Sequence, residues 1–177
     1  MDGYAGDGKG AVMLNIRAAE EADKDAIWAM LEPVIRAGDV YALPLDMTRS
    51  DALKYWFAAG KWVFVAEEDG VAVGSYYIHA NQLGGGSHVS NCGYVTAGWA
   101  VGRGVAGAMC AHSLEFGKSV GFRAMQFNFV VSSNAAAVHL WRKHGFREVG
   151  RLPGAFALPS KGGVLGFVDA LVMFREL

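Results

Sequence analysis

The sequence predicts a mixed α/β protein folded as one domain, and three observations carry that prediction. The chain has 177 residues, a length that suits one hydrophobic core. Hydrophobic residues make up 53% of it, too many for a chain disordered throughout. Strand-like alternation and helix-like four-residue spacing follow one another in the order β-α-α-β-β-β-α-β-α-β-β, with no internal repeat and no linker. The expected architecture is therefore a mixed central sheet flanked by helices.

Residues 1–11 are rich in Gly and Asp and unpatterned, so they read as a flexible leader, with residues 12–177 as the domain. Residues 12–17 alternate as a first strand. Asp23 is placed to cap a helix in which Ile27, Leu31 and Ile35 recur every four residues, and Pro33 is expected to kink or shorten it. Residues 37–47 read as an ordered loop. Thr48 or Ser50 opens a short helix carrying Leu53, Tyr55, Trp56 and Phe57, which Gly60 stops. Residues 62–67 and 71–79 form a hairpin across the tight turn Asp69-Gly70. A loop with Gly84, Gly85 and Gly86 leads to a strand over 87–101, with a bulge expected at Gly93 or Gly98. Residues 102–121 read as a glycine-led helix with Val105, Met109, His112 and Phe116 on one face, and 123–131 as an apolar strand. Asn134 caps a helix running to His144 and ended by Gly145, and residues 146–151 and 166–174 supply two last strands.

The net charge of −1 argues against nucleic acid or an anionic membrane as a partner. The charge is unevenly spread: residues 1–100 hold 7 Lys and Arg against 13 Asp and Glu, and residues 101–177 hold 9 against 4. The basic second half suits a small polyanion, or simply a solvated surface. Two cysteines, Cys92 and Cys110, make neither a disulfide framework nor a CxxC motif. With no basic, apolar, cleavable start, a cytoplasmic protein with free thiols is expected. Residues 70–102 carry no formal charge, but His79, Asn81, Gln82, Ser87, His88, Ser90 and Asn91 interrupt them, so a buried sheet fits better than a membrane helix.

Glycine is the compositional excess, at 24 residues. Gly102-Arg103-Gly104-Val105-Ala106-Gly107 fits G-x-G-x-x-G at a strand-to-helix junction. A dinucleotide site would place an acid about 20 residues further on, yet no Asp or Glu occurs between Glu115 and Glu148. The loop chemistry survives this rejection. Bare backbone admits phosphate oxygens, the helix N-terminus adds partial positive charge, and Arg103 adds a full one. The competing reading is that Gly104 and Gly107 only permit close helix packing.

Residues 96–151 resemble the GNAT acetyltransferases, the superfamily of acetyl-CoA-dependent acyl transferases. Their pyrophosphate loop, Q/R-x-x-G-x-G/A, falls on Val101-Gly102-Arg103-Gly104-Val105-Ala106, and their N-x-x-A-x-x-L-Y-x-x-x-G-F pattern falls on Asn134, Ala137, Leu140, Trp141, Gly145 and Phe146. The element order over residues 12–177 is also similar. Val101 stands where the family has Gln or Arg, and Trp141 where it often has the tyrosine that protonates the leaving thiolate; the usual strand carboxylate is missing too. An indole N–H can hydrogen-bond but is no usable acid. Asn91-Cys92-Gly93-Tyr94 with Asn128-Phe129-Val130-Val131-Ser132-Ser133-Asn134 is similar to the fungal proline-analogue (azetidine-2-carboxylate) N-acetyltransferases.

That resemblance implies that Asn91 holds the substrate, that the Asn128 and Phe129 N–H groups assist, and that Asn134 donates to the thiolate. It also implies an acetyl-CoA site built from Tyr94, Val95, Thr96, Gly102, Arg103, Gly104, Val105, Ala106, Gly107 and Asn134, with N–H groups near Tyr94 to Thr96 meeting the oxyanion. Asn134 can equally be a plain N-cap, and Asn91 and Asn128 can be satisfied strand residues. Deprotonating an alkyl amine of pKa ~10.4 at pH 7 costs about 4.6 kcal/mol, and a peptide α-amine of pKa ~8 under about 1.4 kcal/mol. The base is then a relayed water, the substrate itself, or one of His79, His88, His112 and His139; Tyr94 and His139 are reserve proton donors. No histidine pair has helical ligand spacing, so no metal is expected. Tyr41, Tyr55, Trp56, Tyr76 and Tyr77 either line an acceptor pocket or fill the core.

The function expected is direct acetyl transfer from acetyl-CoA to a small-molecule amine, such as an amino acid or cyclic proline analogue, with a homodimer left open. A protein or peptide amine acetyltransferase and a non-catalytic acyl-CoA-binding module are the alternatives.

Overall fold

The computed structural model describes residues 14–177. The expected leader, residues 1–11, and the first two residues of the expected domain lie outside them. The described strands form one seven-stranded sheet in the order β1-β2-β3-β4-β5-β7-β6. They are β1 (Leu14–Ala18), β2 (Trp62–Glu68), β3 (Val71–Ala80), β4 (Val89–Thr96), β5 (Ala124–Val131), β6 (Arg147–Ser160) and β7 (Gly163–Glu176). The helices are α1 (Lys24–Ala37), α2 (Arg49–Trp56), α3 (Val105–Ser119) and α4 (Ala135–Lys143), so the element order is the one the sequence predicts.

Period-two alternation sends neighbouring residues to opposite faces of the sheet. On one face Tyr77 packs edge-on against Trp56 of α2 at 4.9 Å, and the Trp56 indole donates to buried Ser75 Oγ at 3.0 Å. On the other face Tyr76 stacks on Phe64 at 4.9 Å and its hydroxyl meets His112 Nδ1 of α3 at 2.6 Å. Trp56 and Tyr76 are fully buried core residues. Asp69 and Gly70 both adopt positive φ, as a tight hairpin turn requires.

Local expectations differ from the structure in five places. Asp23 makes no side-chain cap on α1. Its carboxylate instead takes two bonds from Arg17 (2.7 and 2.8 Å) and one from the Glu20 N–H (2.7 Å). α1 runs through Pro33, whose ring lies on the exposed side, and ends at Gly38 in the left-handed conformation. The strand expected over 87–101 stops at Thr96 and is followed by a 3-10 turn, Gly98–Ala100. Gly93 is not a bulge, because the β3–β4 register is continuous through it. The last two strands are far longer than 146–151 and 166–174, each covering 14 residues.

Among the described strands, β4 and β5 are the only parallel neighbours. They pair at Val89↔Ala124 and Ser90↔Met125 and then part. Parting opens the sheet edge-to-edge, exposing main-chain groups of both strands in a cleft.

Candidate active site

The cleft holds a cavity of about 270 Å³. Asn91, Tyr94, Asn128, Phe129 and Asn134 all line it, with Tyr41, Tyr55, Tyr77, Cys92 and Trp141. The three asparagines, Tyr94 and Phe129 are thus brought to one place, while none of the four candidate histidines is in the lining. No lining residue carries a formal charge.

The strand registers decide which main-chain donors face the cleft. Asn81 N–H bonds to Val89 O and Ala97 N–H to Val73 O, so alternation assigns Asn91, Gly93 and Val95 to β3 and turns Cys92, Tyr94 and Thr96 toward β5. Of the three expected donors, Tyr94 and Thr96 therefore face the cleft. Val95 does not: its N–H is turned to β3, and its side chain is buried. On the other wall, Phe127 pairs with Met173 and Val130 with Leu171, so Asn128 and Phe129 together oppose Val172. This bulge breaks the ladder at the two residues whose N–H groups the sequence singled out.

The three asparagines are held differently. Asn91 Nδ2 donates across the parting strands to Gln126 O at 2.9 Å, leaving Oδ1 as an acceptor for the cavity. The Asn128 side chain is spent, accepting from Gln126 Nε2 at 2.8 Å and donating to Asn81 Oδ1 at 2.6 Å. It supplies main chain only. Asn134 Oδ1 accepts from the Ala137 N–H at 3.2 Å as an N-cap, which leaves its Nδ2 free to donate. Cap and donor therefore coexist in one side chain.

Tyr94 contributes main chain, not its hydroxyl. That hydroxyl is buried beside Ser113 Oγ at 2.7 Å, and burial pushes it well above the usual phenol range. The Tyr94 carbonyl accepts from Tyr41 Oη at 2.6 Å. Cys92 is the one thiol in the lining, and burial raises its pKa far above that of a free cysteine. Tyr77 stays protonated for the same reason, and its hydroxyl meets that of Tyr55 at 2.9 Å. His88 and His139 are exposed and away from the cavity, and His112 is engaged by Tyr76 behind the sheet. His79 pairs with Asn91 across β3–β4 on the cavity face, and burial followed by nearby Lys61 lowers its pKa.

The glycine loop leads into α3. Gly102 and Gly104 have φ of 82° and 86°, and a Cβ on either would meet nothing within 4 Å. Backbone conformation, not packing, explains both. Gly104 is the N-cap with no side-chain bond, so the first N–H groups of α3, at Val105, Ala106 and Gly107, are left for a ligand. Val105 is buried and anchors the turn. A Cβ on Gly107 would make only ordinary contact with Leu140 of α4 and with His144 just beyond it. Arg103 is paired with Glu68 and lies over the Trp99 ring at 5.6 Å, so its guanidinium is engaged by protein rather than presented bare. Among the described residues, no cluster of three or more His, Cys, Asp or Glu could hold a metal, and no helix is long and apolar enough to cross a membrane.

A parted parallel strand pair, an uncapped helix start after a glycine turn, and amide groups around the gap define an acyltransferase cleft. Residues 28–146 match the Acetyltransferase (GNAT) family, and the chain belongs to it. The family's acyl donor is acetyl-CoA, and the open backbone at Gly102, Gly104 and the α3 start fits a pyrophosphate. The chain is 37% identical to a GCN5-related N-acetyltransferase from Kribbella flavida, with a TM-score of 0.86 over 93% of this chain and 98% of that one. It is 25% identical to N-acetyltransferase aca1 of Schizosaccharomyces pombe, over 78% of this chain and 72% of the relative. A phosphinothricin acetyltransferase from Sinorhizobium meliloti, solved with acetyl-CoA, shares the fold at 20% identity and a TM-score of 0.79, over 93% and 88% of the two chains.

Proposed function

We propose that this acetyltransferase moves the acetyl group from acetyl-CoA directly to the amine of a small molecule, with amino acids and cyclic proline analogues the first acceptors to try. The observation that carries this reading is one small cavity, lined by Asn91 and Asn134, at the end of the β4–β5 cleft. Its volume of about 270 Å³ suits a compact acceptor better than a peptide segment. The named relatives support it too, since one is a phosphinothricin acetyltransferase.

In this reading the Gly102–Gly107 turn and the α3 N-terminus hold the pyrophosphate. The Tyr94 and Thr96 N–H groups serve the thioester carbonyl, where one such donor is worth about 3 kcal/mol. Asn91 Oδ1 accepts from the acceptor amine, and the Asn128 and Phe129 main chain, at the β5 bulge, fixes its remaining polar part. Asn134 Nδ2 donates to the departing thiolate, with the Trp141 indole alongside. Direct transfer is favoured over an acetyl-enzyme because the only thiol in the cavity, Cys92, is held protonated by burial. Of the candidate histidines, His79 is the one beside Asn91 across the strands, and it is the base this arrangement favours.

The test is thiol release from acetyl-CoA across an amine panel, followed by initial rates at several concentrations of both substrates. Intersecting reciprocal plots are expected for direct transfer. Parallel plots would refute it, and tight CoA binding without turnover on any amine would leave a binding module.

A further inference from the structure

Lys61 lies between α2 and β2, just behind the cavity wall. Its ammonium sits 3.6 Å from the Tyr77 ring centre and 4.0 Å from that of Tyr55, and it donates to the Tyr55 carbonyl at 2.7 Å. Both rings line the cavity. Tyr77 is pressed so closely onto β4 that a Cβ on Gly93 would fall 2.6 Å from its ring. One phenol ring therefore separates a half-buried cation from the acceptor space. The groups facing Lys61 are Tyr55 from α2, and Tyr77 and His79 from β3.

No described carboxylate pairs with Lys61, and burial alone lowers its pKa to about 8. A cation placed at this cost with no described carboxylate partner leaves a positive field in a cavity that itself has no charged side chain. The two wall hydroxyls share one hydrogen between them, so the pair keeps one O–H to donate, and the ammonium behind the rings strengthens that donation. Across the cavity the β5 bulge interrupts the ladder at Asn128 and Phe129, and the lining holds no carboxylate.

We propose that Lys61 selects the charge of the acceptor: acting through the Tyr55–Tyr77 wall, it favours amines that carry an anionic group and disfavours those that are only cationic. The field acts twice in one direction. It attracts a carboxylate or phosphinate on the acceptor, and it disfavours the ammonium form, so the amine meets the thioester unprotonated. The inference rests on the proposed acceptor role of the cavity.

The test compares matched acceptors with and without their carboxylate, azetidine-2-carboxylate with azetidine and methionine with 3-methylthiopropylamine, in wild type, Lys61→Met and Lys61→Arg. Wild type is expected to prefer the carboxylated member of each pair in kcat/KM. Lys61→Met should shrink that preference about tenfold, the order for a unit charge acting across one ring at a partly wet site. Lys61→Arg should retain it, and KM for acetyl-CoA should not move. An equal loss on both members of each pair would make Lys61 a packing residue and overturn the proposal, as would a wild-type preference for the decarboxylated amines. Absence of turnover with every acceptor would instead remove the acetyltransferase reading of the cavity, and the selector with it.

Discussion

Gly93 shows how one missing methyl group shapes the site. Tyr77 occupies the space a side chain there would take, so Gly93→Ala forces either the ring or β4 to move. We expect a loss of about 1–3 kcal/mol in urea unfolding and a higher KM for the acceptor. The asparagines divide differently. Asn134→Ala should lower kcat by tenfold or more and cost about 1 kcal/mol of stability through the lost cap, whereas Asn91→Ala should mainly raise acceptor KM. Steady-state kinetics with both substrates varied checks the split, and equal, negligible effects would remove the asparagine mechanism. Legibility at this scale was uneven. Asn91, Asn128 and Asn134 could be picked out by their spacing, but only the structure shows that the Asn128 side chain is consumed by Gln126 and Asn81. Lys61 could not be found from sequence, because its meaning comes from two rings on different elements.

The elements were legible where pattern is local. The Asp69-Gly70 hairpin and the Thr48 cap of α2 are short-range chemistry, and both are seen. The β5 bulge at Asn128 and Phe129 was not legible, since a bulge is defined by a partner strand, β7, some forty residues away. Asp23 has the same lesson: its local capping preference lost to Arg17, which reaches it from β1 while also bonding Glu67 of β2. The resulting clamp fixes the start of α1 to the sheet edge. The Arg17 guanidinium beside Asp23 holds that carboxyl below the ordinary carboxylate range. Its contribution is therefore full above about pH 4 and is lost as pH falls below that. Asp23→Asn should cost about 1–2 kcal/mol at pH 7, allowing for solvent around Arg17, and should flatten the acid side of the stability curve. Denaturant melts of both proteins between pH 2.5 and 7 would show it; parallel curves would deny the clamp its weight.

For the whole molecule, fold class and element order were readable because they follow from periodicity, while strand order was not, because it depends on which edges find each other. The long β6–β7 hairpin likewise exceeded its apolar pattern: Gly150, Gly154 and Pro159 look like breaks in sequence but are accommodated in a strand with several register shifts. A ligand spanning the α3 start and the β4–β5 cleft should stabilise the entire fold by mass action. Acetyl-CoA at about 100 times its Kd is expected to add about 2.7 kcal/mol and raise Tm by about 2–8 °C. A thermal melt with and without it decides this, and Gly104→Val, which strains the left-handed turn, should reduce the shift.

The parting of β4 from β5 has a mechanical consequence as well. β1 to β4 form one panel of the sheet and β5, β7 and β6 another, and two residue pairs are all the ladder that joins them. The Asn91 amide adds one rivet by reaching Gln126 O, and α3 and α4 brace the join from behind. Under load the molecule should tear along this line before either panel unravels. A molecule bridging the two panels would act as a splint, so that occupancy of the cleft and resistance to pulling rise together.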